Sequence, residues 1–267
     1  MTKTKIDWAD EVWNPTTGCT KVSAGCKNCY AERIAGRFWG ERKFTEVRCH
    51  EERLLDPLHW RKPRRVFVDS MSDLFHPDVP AEFIHDVFSS MIGYGNTRHT
   101  FMILTKRPER MLEILTSELF TFWHRQDAND HIKNHVWLGV SVENQATADE
   151  RIPLLLQTPA AVRFVSVEPM LEKIELPTYW QYSSPDGFEN NGPGNWRIGG
   201  WGEDIDWVIC GCESGPGARP MELDWARSLR DQCVEAGVAF FLKQAVINGK
   251  LVKMPELDGK VWAEYPR

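Results

Sequence analysis

The chain has 267 residues, 42% of them hydrophobic and 26% charged, with a formal net charge of -6. That length buries a full core and suits one large domain over 1–267 better than two small ones. The composition excludes a disordered chain, the charge excludes a uniformly basic coat protein, and no apolar run reaches the roughly 18 residues of a membrane span.

MTKTKIDWADE at the N-terminus has no apolar segment of the signal-peptide kind, so a cytoplasmic protein is expected. A short strand over 11–17 leads into TTGCTKVSAGCKNCYAER, which sets Cys19, Cys26 and Cys29 at spacings of six and two residues. Gly18 and Gly25 precede the first two cysteines and let the backbone wrap closely. The helical segment YAERIAGRF begins just after Cys29, and its N-terminus favours negative charge there. RKPRR (61–65) reads as a solvated charge run ahead of a strand over 65–71. Phe83, Val87 and Met91 give a helix over 81–92, and a strand follows over 100–106.

Met111, Leu112, Leu115 and Leu119 predict a helix over 107–119. A strand over 136–143 precedes a helix over 147–157 opened by a Thr147/Glu150 capping box. After a strand over 163–169, residues 177–204 are rich in Gly, Pro, Asn and aromatics without a period. They read as an irregular insertion, either a flap over the strand ends or a surface excursion. A strand over 206–213 leads through ESGPGARP, which reads equally as a phosphate-cradling loop without a Walker or dinucleotide fingerprint or as a tight turn, to a helix over 224–237 that stops at Gly237. The last strand, 238–244, carries Lys243 and Gln244.

This βα alternation with near-continuous apolar strands predicts an α/β fold, an incomplete (β/α)6-7 barrel of the TIM type with parallel strands. Polar residues gather where the strands end: Asp69, Ser70, Ser72 and Asp73; Lys106 and Arg107; Ser141, Glu143 and Asn144; Glu168; Glu213. In such barrels that face carries the site, and the cysteine loop falls on it as well.

Seven cysteines cannot all pair within one chain, and a tight cluster in a reducing compartment reads as metal-binding or catalytic. Three thiolates suit zinc or an iron–sulfur cluster. A zinc site needs a fourth ligand, which Cys49 or His50 would supply. A [4Fe–4S] cluster held by three thiolates keeps one iron open for a small molecule. A third reading is a degenerate barrel that binds no metal and associates with a partner protein.

GC-x6-C-x2-CYAER on a β/α chain resembles a variant of the radical S-adenosylmethionine superfamily. WNPTTGCTKVSAGCKNCYAE, VFVDSMSDLFHPDVP, ILTKRPERM, LGVSVENQ, RFVSVEPML, CGCESGPGARPM and PELDGKVW are together similar to a family, many of its members phage-encoded, that shares a three-cysteine motif. DLFHP and TKRPERM also resemble the spore photoproduct lyase branch. Cys212 departs from the family, which usually has a glycine there.

The resemblance implies that Cys19, Cys26 and Cys29 ligate a [4Fe–4S] cluster whose open iron chelates S-adenosyl-L-methionine. One-electron reduction by an external donor would then release a 5′-deoxyadenosyl radical. It also implies that Ser70, Ser72 and Asp73 meet the cofactor's amino group and Lys106 its carboxylate. Ser141, Glu143 and Asn144 would meet the ribose, and the segment from Ile209 to Glu213 the adenine, with Glu168 on the same face. Arg107 and Arg219 are candidate substrate contacts. With Trp180, Trp196 and Trp201 of the insertion they suggest a nucleotide or nucleic-acid substrate.

Overall fold

The structure, a computed structural model, describes residues 4, 6–93, 98–118, 120, 132, 134–180, 196–200 and 203–266, with 178–180, 196–200 and 203 as backbone. It comprises two compact units: Met1–Ser141 with Thr158–Val162, and Val142–Gln157 with Arg163–Arg267.

The first unit contains β1 (Glu11–Trp13), β2 (Thr16–Thr17), α1 (Tyr30–Phe38), β3 (Arg48–Cys49), β4 (Arg65–Val68), α2 (Ala81–Ile92), β5 (Thr100–Thr105) and α3 (Pro108–Leu115). It also holds β6 (Val136–Val142) as far as Ser141. β1, β4, β5 and β6 pair in that order, all parallel. Their apolar runs lack alternation because parallel strands are covered on both faces; Val66, Val68, Phe101, Ile103, Leu138 and Val140 are fully buried. α2 buries Phe83, Val87 and Met91, as their spacing requires, together with Ile84 and Phe88. Each such side chain contributes about 2 kcal/mol on leaving water. β2 and β3 form a two-residue antiparallel ladder, Thr16 opposite Cys49. The helix read over 107–119 is described as Pro108–Leu115, and Leu119 lies outside the described residues.

The second unit contains α4 (Gln145–Leu156), β7 (Val162–Val167, from Arg163), β8 (Thr178–Trp180), β9 (Trp196–Gly200), β10 (Glu203–Asp204) and β11 (Trp207–Gly211). It continues with α5 (Leu223–Ala236), β12 (Ala239–Ile247), β13 (Lys250–Lys253), β14 (Glu256–Leu257) and β15 (Lys260–Val261). β7, β11 and β12 are parallel neighbours in that order, and β13 returns antiparallel to β12. Gly237 ends α5 with φ 68°, the left-handed conformation that glycine adopts without penalty.

Two expectations change here. α4 opens two residues earlier than its sequence pattern suggests, because Asn144 caps it. The Asn144 side chain accepts from the Thr147 amide, and Thr147 answers from the third helical position. Asparagine is among the best N-caps, so it takes the role assigned to Thr147. The segment 177–204, read as irregular, contains β8, β9 and β10 paired antiparallel in the order β10-β9-β8. The backbone of β9 lies against α4 and α5, so this small sheet lies beside helices on the way from β7 to β11. Among the described residues no helix is long and apolar enough to cross a membrane.

Candidate metal and cofactor site

In the first unit the cysteine loop leaves β2 beside the carboxyl end of β4. The Gly18 amide donates to the Met71 carbonyl at 3.0 Å and the Cys19 amide to the Phe44 carbonyl at 2.9 Å. Gly18 has φ 97°, and a Cβ there would stand 2.4 Å from the Glu46 carbonyl oxygen. Close approach and backbone conformation therefore both require glycine at this position. Arg42 links β2 to the loop before β3, donating to the Thr17 carbonyl at 2.9 Å and the Glu46 carbonyl at 2.6 Å. Each thiol occupies its own turn. Cys19 follows β2, Cys26 closes a 3-10 turn over Ala24–Cys26, and Cys29 is the N-cap of α1, making no side-chain capping bond.

Asp73 is the hub beneath this loop. Its carboxylate accepts from the Phe75 amide at 3.1 Å, the Thr105 hydroxyl at 2.8 Å, the Lys106 amide at 3.1 Å and Arg107 Nη1 at 2.9 Å. Four donors fill its four acceptor directions. Arg107 is itself buried; it also donates to the Thr20 carbonyl at 3.0 Å and to Cys19 Sγ at 3.6 Å. His76 Nε2 meets the Thr20 hydroxyl at 2.8 Å, and its Nδ1 accepts from the Asp78 amide, which assigns the remaining ring proton to Nε2. Asp73 and Arg107, expected at the cofactor and the substrate, thus hold the first cysteine in place. The Ser70 hydroxyl donates to Asn14 at 3.1 Å, the Ser72 hydroxyl to the Thr16 carbonyl at 3.0 Å, and Lys106 Nζ to the Ser141 hydroxyl. The expected residues of this unit therefore share the carboxyl ends of β4, β5 and β6.

Asp69 is read from the sequence only as one of the polar residues that follow β4, without a ligand role. It is 4% exposed, takes φ 59°, and accepts from the Thr16 amide and hydroxyl, both at 2.9 Å. Burial pushes its carboxyl up to about 7, and the charge of Asp73 adds to this against the hydrogen bonds from Thr16 and Ser72. Its signal in the sequence is the acid-hydroxyl run VDSMSD, which holds both Asp69 and Asp73.

All three thiols are half-buried and free. Burial raises the Cys19 thiol to about 11, helped by Asp73 and opposed by the Arg107 guanidinium. A metal binding there must displace that proton. Among the described residues no group of three or more His, Cys, Asp or Glu is gathered to hold a single metal ion. The loop offers three soft sulfur donors without a carboxylate among them, which suits zinc or an iron–sulfur cluster, beside a helix N-terminus at Cys29 and a guanidinium at Cys19. The buried Ser23 hydroxyl, inside the loop, has no partner among the described residues. A tetrahedral zinc site needs sulfurs about 3.8 Å apart, from Zn–S bonds near 2.3 Å. For zinc, His50 is engaged at both ring nitrogens, by Thr17 at 2.8 Å and Glu52 at 3.0 Å.

In the second unit the expected residues are drawn into ion pairs. Glu143 is fully buried and receives Arg151 Nη1 at 3.2 Å, while Asn144 caps α4. Lys243 Nζ donates to both Glu168 oxygens, at 2.7 and 2.8 Å, and Gln244 donates to the Cys212 carbonyl at 2.8 Å. Gly211 admits this arrangement, since a Cβ there would stand 3.3 Å from Glu168 Cδ. Arg219 grips Glu213 through its amide at 2.8 Å and Nε at 3.0 Å. Ile209, Cys210 and Cys212 are buried on and just after β11. The Cys212 thiol is raised to about 11, mainly by burial, and the residue behaves as a small core side chain. The side chains of Trp180, Trp196 and Trp201 lie outside the described residues.

Fold and site together define an α/β protein of mostly parallel strands with a three-cysteine loop at strand carboxyl ends. The chain belongs to the family described as "Protein of unknown function (DUF5131)", whose sequence model matches residues 3–266. No curated protein matches the chain. Among solved structures it is similar to spore photoproduct lyase complexed with dinucleoside spore photoproduct, at 12% identity and a TM-score of 0.40. That similarity covers 83% of this chain, which spans 60% of the lyase chain.

Proposed function

We propose that the chain is an iron–sulfur enzyme of the radical S-adenosylmethionine type, acting on a nucleotide or nucleic acid. It would be one cytoplasmic domain, an incomplete (β/α)6-7 barrel with an insertion at about 177–204, served by an external electron donor. The observation that carries the reading is the three-thiol loop held at the carboxyl ends of parallel strands with Arg107 directed at Cys19.

Cys19, Cys26 and Cys29 would hold the [4Fe–4S] cluster, and Ser23 would offer its hydroxyl to it. When bound, cluster and S-adenosyl-L-methionine supply one-electron reductive chemistry. The chain's own residues hold and orient. Asp73 fixes Arg107, whose charge favours the thiolate form of Cys19. The hydroxyls of Ser70 and Ser72, with the paired Lys106 and Ser141, offer polar contacts to the cofactor's amino acid and ribose. Glu143, Glu168 and Glu213 act through their partners Arg151, Lys243 and Arg219, keeping polar strand ends ordered.

The experiment is to incubate anaerobically reconstituted protein with S-adenosylmethionine and dithionite and assay 5′-deoxyadenosine. Its formation by the native chain, and its loss in Cys26→Ala, is the expected outcome. A cluster-loaded protein that yields none overturns the radical reading. The zinc reading has one specific support, Cys49 at the edge of the loop region, and predicts that Cys49→Ala loses metal.

A further inference from the structure

α1 starts at the last of the three cysteines and shows solvent an unusual face. Ala31 and Ala35 are its buried side. Outward stand Arg33, Ile34, Arg37 and Phe38, with Ile34 42% and Phe38 70% exposed. The Arg37 guanidinium lies 5.2 Å from the centre of the Phe38 ring, so cation and aromatic surface are presented together. Lys27, exposed in the loop, adds a charge at the cysteine end. In sequence, the segment that contains this helix reverses the chain's overall sign. Residues 19–48 hold seven Lys and Arg against three Glu, a local +4 in a chain of -6.

We infer that this face of α1 binds single-stranded nucleic acid, Arg33, Arg37 and Lys27 meeting phosphates while a base stacks on Phe38. This deepens the function proposed above and rests on it for the claim that the bound strand is substrate. Binding itself needs no metal. The charge alone suits any polyanion. The exposed ring beside a guanidinium selects nucleic acid over an acidic protein, because every base offers a face to stack. The position, on the helix that Cys29 caps, brings the strand to the cysteine loop.

The test uses metal-free, reduced full-length protein and fluorescence anisotropy with labelled single-stranded DNA and RNA probes of about 12 nucleotides. Native protein is expected to bind and to weaken as salt rises. Phe38→Ala is expected to weaken binding about tenfold. Arg33→Ala/Arg37→Ala is expected to lower the log–log salt slope by about 1.4. All the substituted side chains are exposed, so circular dichroism should be unchanged. Unlabelled polyglutamate should compete poorly. The inference is overturned if the probes do not bind, if Phe38→Ala binds as well as native protein, or if polyglutamate displaces the strand equally well. Iron content in parallel samples separates the two claims: a protein that takes up no cluster but binds the probes refutes the function and leaves this face intact.

Discussion

Replacing Asp69 by Asn isolates the energetic cost of one buried carboxylate. The side chain is buried, and its carboxyl is raised from 3.8 to about 7 by that burial and by Asp73. A folded-state value above the unfolded one means that the folded chain holds the proton more tightly. The stabilisation is then fully present below about pH 4 and is lost as pH rises through 7. The difference of about three, at 1.36 kcal/mol each, amounts to about 4 kcal/mol, a large share of a typical 5–15 kcal/mol. Asn keeps an acceptor for the Thr16 amide and donates from its NH2 where the protonated acid would donate. It also tolerates the left-handed backbone that Asp69 adopts.

The assay is urea unfolding of metal-free, reduced protein from pH 5 to pH 8, native against variant. His50, His76 and His99 are all held below the ordinary histidine value, chiefly by burial, and bias stability the opposite way, losing it as pH falls. Cys49, raised by burial and by Asp69, titrates above this window. Taking the difference between the two proteins removes the histidine contributions. Across this window the native protein should lose about 2–3 kcal/mol relative to Asp69→Asn as pH rises, the rest of the difference falling below pH 5. Parallel curves for the two proteins would refute the reasoning.

Two further outcomes concern the cysteine loop. Gly18→Ala should destabilise the chain by about 2 kcal/mol or more, seen in the urea midpoint, since the new Cβ meets the Glu46 carbonyl and the backbone stays left-handed. Arg107→Lys keeps a positive charge for Asp73 but gives up the fork that reaches Cys19 and Thr20 together. Iron retention against a chelator should fall about tenfold, with the midpoint potential of the cluster shifted and the urea midpoint nearly kept. Unchanged retention and potential would reduce Arg107 to a structural role.

The strands were readable because burial on both faces leaves an unbroken apolar run, as in RVFV and VWLGVSV. α2 was readable because Phe83, Val87 and Met91 keep the helical period. The cap of α4 was misread by position: Thr147 takes part from the third helical position, while Asn144, three residues earlier, is the cap, because its side chain reaches the Thr147 amide. β8 and β9 were not legible because each is short and neither alternates between polar and apolar residues. The cysteines announced themselves by spacing. The grip on Cys19 did not, since Arg107 is 88 residues away and no local pattern encodes such a contact. Glu168, Lys243 and Gln244 were visible as polar residues at strand ends, yet their mutual pairing reaches across β11, from the end of β7 to β12, and belongs to the sheet rather than to any one strand.

Iron and acid-labile sulfide per chain, measured after anaerobic reconstitution, test the central claim most directly. About four of each, with a broad absorption band near roughly 400 nm that bleaches on reduction, are predicted for the native chain. Cys19→Ala/Cys26→Ala/Cys29→Ala should hold none, and Cys49→Ala should hold as much as native. A colourless native protein carrying one zinc, released by Cys49→Ala, would contradict the account.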